Sequence, residues 1–546
     1  MKKFLIVLPS VLTALLLWAA FAPMNEACSI VFALVPMLVV SRLCTPKRSL
    51  VLWSVCGLLF WIATLSWMPA IIKNNGPWPL VILGWFGLGA TCAVFFSAFG
   101  WLTARAWQAV RLRGSRATDI LAMVLFVEPV LWAGLEWCRS VVPFGGFAWN
   151  YLGTAVGGIP SFAAPARLGG VYLVSALVVL LNGVFATLAC RLIRQMRREQ
   201  EPTFGTPART RLVRALETGL PLALILVSFW FAGVCAPTGE CRSLRVVLEQ
   251  RNAPCIFSVR DKPENPFTAY DKLLWTASQE KPDLLVWGES AMAEFRTSLD
   301  QPGAQTVARH YAELLGGAAL LAGGDLSFIV ETDKGPVRRV QNGAALFTVS
   351  PTNVVVQTYG KQHLVPFGEY IPCDKLFPIL QKLSPIGVSL WPGEAKVLDL
   401  KGVKLAPLIC FEDTDPTLAR KAAKLGAQAL VLITNDSWFS FSYEAEQHAQ
   451  QTVLRAIETG LPVIRVGNSG VTGIIRPSGQ ASWLTDGGTR EKPLVDAGAS
   501  LVTQVFVPLA PQPTPYTRVG DGPLLISFLL ALLGVWLIPL KEQRSI

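Results

Sequence analysis

The chain reads as a membrane α-helical bundle of about eight spans joined to one water-soluble α/β domain on the outer face of the membrane. Two observations predict this. Of its 546 residues 52% are hydrophobic and only 16% charged, with a mean hydropathy of +0.44, too apolar for an ordinary soluble protein of this size. After Cys235-Ala-Pro-Thr-Gly-Glu the composition turns polar, and short β-rich runs begin to alternate with helical stretches. The expected organisation is therefore seven spans in 1–236, an α/β domain over 237–520, and a last span with a short tail in 521–546.

Crossing the hydrocarbon core takes roughly 20 apolar residues. Such runs lie near 4–22, 28–41, 50–68, 79–103, 119–136, 169–190, 217–236 and 522–538, the second being the shortest. Lys and Arg resist translocation, so they mark the cytoplasmic loops. They alternate as that rule requires: Lys2 and Lys3 precede the first span, Arg42, Lys47 and Arg48 follow the second, and Arg105, Arg111, Arg113 and Arg116 follow the fourth. Arg191, Arg194, Arg197, Arg198, Arg209, Arg211 and Arg214 follow the sixth, and Lys541 and Arg544 end the chain, whereas the intervening loops hold little beyond Lys73, Arg139 and Arg167. Both termini are then cytoplasmic and 237–520 lies outside. Met1-Lys-Lys before an apolar run also fits a secretory leader, but Pro23 directly after Ala19-Ala-Phe-Ala22 argues for an uncleaved span. The spans show no charge pair of the kind a pump needs, Glu136 and Arg139 near one membrane edge being the nearest approach.

A net charge of +11 could indicate nucleic acid, yet much of the excess sits in these loops and no basic stripe with interleaved aromatics occurs in the soluble segment. Nucleic-acid binding is excluded as an expectation. Eleven cysteines at irregular spacing form no zinc pattern, so no metal is expected. Cys56 and Cys92 fall inside spans as small apolar residues, and whether Cys235 pairs with Cys241 stays open.

In the soluble segment the alternation predicts strands at 244–250, 283–287, 318–322, 344–349, 354–358, 403–409, 429–434, 462–466 and 472–475. Helices are predicted at 267–279, 304–315, 416–425 and 444–459, and the Pro-rich 508–515 reads as a semi-rigid return to the membrane. Three of these strands end in reactive groups. Cys410 closes Leu405-Ala-Pro-Leu-Ile and precedes Phe411-Glu412-Asp413; a free cysteine also packs as a small hydrophobe, but at a strand end before a helix it meets N–H groups that favour thiolate and oxyanion. A thiol of pKa about 8.5 needs a base. Glu289 follows the buried run Leu284-Leu-Val-Trp-Gly and can be that base, or else an acid beginning a helix beside Ser290. Lys361 follows Val354-Val-Val-Gln-Thr-Tyr-Gly and can stabilise an oxyanion, though a lone lysine is more commonly a solvated charge.

Glutamate, lysine and cysteine in this order resemble the carbon–nitrogen hydrolase (nitrilase) superfamily, which implies an αββα sandwich with Glu289 as general base, Lys361 as oxyanion stabiliser and Cys410 as nucleophile. Within it the chain is similar to the apolipoprotein N-acyltransferase family, which joins that domain to membrane helices. The phrases that carry the likeness are Lys361-Gln-His-Leu-Val-Pro-Phe-Gly-Glu369-Tyr-Ile-Pro372, Asn435-Asp-Ser-Trp-Phe439, Gln450 to Arg455, Gly467-Asn-Ser-Gly470 and Thr514-Pro-Tyr-Thr-Arg-Val-Gly-Asp521. The resemblance implies further acids at Glu369 and Glu412, with pairing to Lys361 and capping of a helix as their structural alternatives. Trp438 and Phe439 would line an acyl path or simply pack in the core, and Asn435 belongs to the same motif. Pro143-Phe-Gly-Gly-Phe-Ala-Trp149-Asn-Tyr151 looks like the family's aromatic loop, though interfacial anchoring also suits Trp149.

Two departures stand out. Phe411 occupies a position where the family usually has tyrosine, and the segment after Gln250-Arg-Asn-Ala-Pro254 has Phe257 and Val259 near where a functional tryptophan is usual. The implied reaction is transfer of an acyl chain from a phospholipid, through a thioester on Cys410, to the α-amino group of an S-diacylglyceryl cysteine on an apolipoprotein. The implied enzyme is a monomer in the bacterial inner membrane, without cofactor, its partners being membrane lipids and that acceptor. The alternatives are a membrane-tethered amidase or nitrilase using the same triad, and a transporter or lipid-binding protein whose outer domain is inactive.

Overall fold

The computed structural model describes residues 2–74, 76–114, 116–199, 203–253, 265–333, 335–372, 389–485 and 492–537. Phe257, Val259, Lys541 and Arg544 lie outside the described residues. The chain divides into two compact units, one of residues 1–68, 79–235 and 519–546, the other of 69–78 and 236–518.

Among the described residues, five helices are long and apolar enough to cross a membrane: Pro46–Thr64, Trp78–Leu112, Ala117–Arg139, Ala166–Met196 and Pro207–Val234. Val7–Ala19, Ala27–Leu43 and Gly522–Leu537, at the other three predicted positions, are apolar but shorter. Two of the long helices begin with proline at the first turn, where its missing N–H costs nothing, and Thr206 caps the second by accepting from Arg209 N at 3.2 Å. The stretch 27–43 is short for a visible reason. A 3-10 turn, Ala27–Val31, precedes the helix Val35–Leu43, and Asn182 bridges the break, accepting from Leu34 N and donating to Ile30 O, both at 2.9 Å. A neighbouring helix thus satisfies the backbone that the interruption exposes.

The helical unit holds a buried ion pair that the sequence did not suggest. Arg42, read from sequence as a loop charge, is buried and grips the buried Glu128 with two hydrogen bonds, Nε to Oε1 at 3.1 Å and Nη2 to Oε2 at 2.6 Å. Thr187 and Trp107 complete the site, accepting from Arg42 and donating to Glu128 respectively, each at 2.8 Å. The sequence hid this because the two partners are 86 residues apart. Glu136 and Arg139 instead bond separately, Glu136 accepting from Trp132 and Leu152, Arg139 donating to the carbonyls of Phe147 and Trp149.

Among its described residues the second unit holds two six-stranded sheets. The strands are β1 Cys241–Gln250, β2 Leu284–Trp287, β3 Ala319–Thr332, β4 Gly335–Val349, β5 Val354–Gly360, β6 Leu398–Leu400, β7 Val403–Ile409, β8 Ala429–Thr434, β9 Val463–Gly467, β10 Gly473–Ile475, β11 Ala481–Trp483 and β12 Ala499–Pro508. One sheet has the order β12-β1-β2-β3-β4-β5 and the other β11-β10-β9-β8-β7-β6. Alternation sorts their side chains. Leu244, Val246 and Leu248 of one sheet pack with Leu405, Val431 and Ile464 of the other in a shared core, while Val247, Leu285 and Trp287 face the helices Pro266–Ser278 and Pro302–Leu314. The helices Pro416–Lys424 and Glu444–Thr459 follow β7 and β8.

Three strands were not foreseen. β6 and β11 have only three residues each, too few to show a period. β12 pairs antiparallel along all of β1, Cys241 opposite Pro508 and Gln250 opposite Ala499, a pairing set by a partner about 250 residues earlier and not by local signal. β3 and β4 also run beyond the predicted 318–322 and 344–349 to form one long hairpin closing at Thr332 and Gly335. Cys235 and Cys241 are both free.

Candidate active site

β1, β2 and β3 are parallel and β4 is antiparallel to both β3 and β5, so β2 and β5 point the same way. β7, β8 and β9 are parallel in the other sheet. Glu289, Lys361, Cys410, Asn435 and Asn468 therefore all follow strand C-termini, and the two sheets are tied at this end by Glu289 N donating to Thr434 O (3.3 Å) and Asn252 N to Asn468 O (2.6 Å). This close approach explains Gly288: a Cβ there would sit 2.5 Å from Asn468 N.

Lys361, 1% exposed, donates to Glu369 at 2.9 Å and lies 3.8 Å from Glu289. Asn342 on β4 joins the two carboxylates, its Nδ2 donating to Glu289 Oε1 at 2.6 Å and to Glu369 Oε1 at 2.8 Å. Lys361 N in turn donates to Asn342 O at 2.8 Å, so the antiparallel β4–β5 pairing carries lysine and amide together. Burial disfavours charge on Lys361, but Glu369 and then Glu289 outweigh it and hold the ammonium above its usual range. Glu289 is pushed up by burial, with Lys361 opposing and Glu369 adding to the rise. It is a base stronger than an ordinary carboxylate.

Cys410 begins the 3-10 turn Cys410–Thr414 and has φ +52°, left-handed for a non-glycine residue. Such a conformation costs about 1–3 kcal/mol and collects at functional sites. Burial and then the Glu289 carboxylate raise its thiol well above the usual value, while Lys361 and a hydrogen bond from Thr434 favour the thiolate. The resting thiol is therefore neutral, and its proton leaves only to a neighbour able to take it.

The structure places the two further acids in these contacts. Glu369 pairs with Lys361 and also accepts from Val365 N at 2.8 Å. Glu412, fully buried, caps the turn by accepting from Ile409 N at 2.7 Å, and it anchors the loop after β5 through Gln362 N (2.6 Å), His363 N (3.2 Å) and Tyr359 Oη (2.8 Å). Phe411 meets His363 edge-on at 5.6 Å. Asn435 Oδ1 accepts from Ser437 and from Asn468 Nδ2, shaping the turn that carries the half-exposed Trp438 and Phe439. Asn74, on the segment 69–78 that belongs to this unit, donates to the Ser437 and Trp438 carbonyls at 3.0 and 2.9 Å. Trp149 belongs to the helical unit, buried between Phe147 and Trp67.

Comparison with known proteins fits these two units. Residues 13–184 match the apolipoprotein N-acyltransferase N-terminal domain, and residues 275–487 match the carbon–nitrogen hydrolase domain. The apolipoprotein N-acyltransferase of Geobacter metallireducens is 30% identical over 477 residues, 86% of this chain and 82% of its own. The chain belongs to the apolipoprotein N-acyltransferase family. The enzyme of that name from Pseudomonas aeruginosa is 31% identical over 88% of this chain and 86% of its own. Among solved structures, an amidase from Nesterenkonia sp. is 20% identical with a TM-score of 0.35, covering 54% of this chain and 98% of the amidase.

Within this family frame, sequence reasoning missed Asn342, which carries no reactive group, and a buried network behind Cys410. His448 Nδ1 bonds Asp436 at 3.0 Å, and its Nε2 bonds Asp413 at 2.9 Å and the Cys410 carbonyl at 3.3 Å. Burial alone would lower the imidazole, but Asp413 and Asp436 raise it to about 10, so it is a cation clamped by two carboxylates. Arg465 braces the same pair, reaching Asp413 at 3.1 Å and Asp436 at 3.4 Å. His448 is one turn upstream of Thr452 and two turns upstream of Arg455 on a helix buried along nearly its whole length, a signal that was available in Gln450 to Arg455. Asp436, Glu444 and His448 place ligand atoms within 4.8 Å of one another, the one such group among the described residues. His448 and Arg465 already offset Asp413 and Asp436, while burial and then Asp436 push Glu444 well above the ordinary carboxylate range.

Proposed function

We propose that this protein N-acylates lipoproteins, with Cys410 carrying the acyl group. The observation that supports it most is the bonded cluster of Glu289, Lys361, Glu369 and Asn342 whose charges act on a strained Cys410, in a chain of this family. Glu289 takes the thiol proton as the sulfur attacks an ester carbonyl of a phospholipid. Lys361 stabilises the tetrahedral oxyanion, and Glu289 returns the proton to the departing lysophospholipid alkoxide, leaving a thioester. The α-amino group of an S-diacylglyceryl cysteine then attacks that thioester, Glu289 takes the amine proton, and the Cys410 thiolate leaves and is reprotonated. Water must be kept from the thioester meanwhile; Trp438 and Phe439 are suited to line the acyl path, and Asn435 to fix their turn. Asn342 and Glu369 hold Lys361, Glu412 and Phe411 shape the nucleophile turn, and Trp149 belongs to an aromatic loop of the membrane unit. The steps as written use no cofactor.

The proposed organisation is eight spans with both ends in the cytoplasm, seven in 1–236 and one in 521–546, and the catalytic domain 237–520 on the periplasmic face of the inner membrane. The alternating arginine-rich loops support this orientation. The working unit is a monomer.

The test is to incubate purified protein with a phospholipid and follow a hydroxylamine-sensitive acyl adduct by intact mass, with Cys410→Ala as control. A folded wild type that never gains the adduct defeats the thioester reading. Adding a diacylated lipopeptide separates transfer from hydrolysis, since only transfer yields the N-acylated peptide.

A further inference from the structure

The helix Glu444–Thr459 turns three polar side chains towards the turn Cys410–Thr414. His448, Thr452 and Arg455 stand at i, i+4 and i+7, so they share one face, and all three are buried. Arg455 donates to the Asp413 and Thr414 carbonyls at 3.2 and 3.0 Å, and Thr452 bonds the Asp413 carboxylate. His448 reaches the nucleophile itself, through the Cys410 carbonyl at 3.3 Å. Both of its ring nitrogens face acceptors: Nδ1 meets Asp436, and Nε2 meets Asp413 and the Cys410 carbonyl. Carboxylates and carbonyls accept, so both nitrogens donate and the ring is an imidazolium. The other charged groups around it are Arg465, 3.1 Å from Asp413 and 3.4 Å from Asp436, and Glu444, whose carboxyl lies 4.0 Å from Nδ1.

Neutralising the two aspartates does not account for this arrangement. Arg465 already reaches both, and a buried ionic cluster adds little stability over apolar residues of the same volume. What His448 adds is a charge-assisted hydrogen bond on the carbonyl of a residue whose φ of +52° is costly for any side chain with a Cβ. The chain is pinned on the other side of Cys410 as well, where Ile409 N donates to Glu412 at 2.7 Å. With the backbone held before and after it, Cys410 resists relaxing to an unstrained conformation, and its Cβ keeps one direction relative to Glu289 and Lys361. Reacting groups lose rate steeply when misplaced by as little as 1 Å. We infer that His448 is a positioning residue for acyl transfer, holding the strained backbone of Cys410 by its carbonyl so that the thiol stays aimed at its base. This rests on Cys410 being the acyl carrier.

Two amides separate the two ends of the ring, because the asparagine nitrogen stands near Nδ1 and the glutamine nitrogen near Nε2. His448→Gln keeps a donor for the Cys410 carbonyl and loses the one for Asp436, whereas His448→Asn does the reverse. With full-length protein in detergent, the single-turnover rate of acyl-adduct formation from a phospholipid is followed by intact mass. Alkylation of Cys410 by iodoacetamide, read by peptide mapping, and melting curves accompany it. His448→Asn is expected to slow adduct formation about 30-fold, which is about 2 kcal/mol at 1.36 kcal/mol per decade, the scale of a hydrogen bond to a charged group. Its half-saturating donor concentration should stay near that of the wild type, since the donor site is untouched. His448→Gln and Thr452→Val should melt lower yet acylate within about fivefold of wild type, less than one such hydrogen bond, and alkylation rates should fall in the same order. Equal slowing in His448→Asn and His448→Gln, a loss in Thr452→Val as large as that in His448→Asn, or a rise in half-saturating donor concentration that accounts for the whole loss overturns the inference. Slowing of His448→Gln and Thr452→Val by the full 30-fold does so by itself, whether or not His448→Asn folds. A wild type that forms no adduct defeats the acyl-carrier reading instead, and the order of alkylation rates then decides whether His448 positions the thiol.

Discussion

Replacing Glu369 by glutamine tests whether Lys361 is held for catalysis or merely neutralised. Lys361 Nζ is 2.9 Å from Glu369 and 3.8 Å from Glu289. At an effective dielectric near 20 these contacts are worth about 6 and about 4 kcal/mol before desolvation is counted. Breaking one partner of a buried pair costs about 3–5 kcal/mol net, and a glutamine that keeps an accepting oxygen should fall at the low end, about 3 kcal/mol. The freed lysine then has Glu289 as its remaining counter-ion. Two changes follow for Glu289. It loses the repulsion of Glu369, which had raised it, and it feels an unshared Lys361, which lowers it. The base weakens and the oxyanion charge is spent on a neighbour, so acyl-adduct formation should slow about 100-fold, the scale of losing one oxyanion donor. The acid limb of the pH–rate profile should move down towards the ordinary 4.5 of a glutamate. Rates of adduct formation by intact mass from pH 4 to 8, beside melting curves, measure both effects. A variant that acylates within threefold of wild type with an unmoved acid limb refutes the reasoning. One that is destabilised with an unmoved limb reduces Glu369 to a structural anchor.

Other expectations follow from the remaining buried charges. His448 is raised above its unfolded value, so its clamp stabilises fully below about 6.5 and is lost as pH rises through about 10; the melting-temperature gap between wild type and His448→Gln should be wide at pH 7 and close above pH 10. Glu128→Gln should cost about 3–5 kcal/mol by stranding Arg42, whereas Arg42→Met/Glu128→Leu should regain most of it, because a buried pair replaced whole by apolar residues is close to neutral; unfolding midpoints in mild detergent decide this. Cys241 is free and exposed, so a variant keeping it as the sole reactive thiol should label with a membrane-impermeant maleimide in intact spheroplasts. Labelling only after lysis would invert the proposed orientation.

Much of this was legible in the sequence because it rests on local pattern. Apolar length marked the eight helical stretches, since a span must bury its own backbone within one segment. Short apolar, β-rich runs ahead of Glu289, Lys361 and Cys410 marked the candidate strand ends, because strand and turn propensities are read over a few neighbouring residues. What adjoined those residues was a different matter. Asn342 reaches the site through antiparallel pairing of β4 with β5, and β12 becomes a strand because β1 offers it a full edge. The Arg42–Glu128 pair and the His448 clamp join side chains that sequence separation keeps unrelated. The order of reactive residues was thus written locally, whereas their protonation and counter-ions were decided only by folding, because burial and charge act through space and not along the chain.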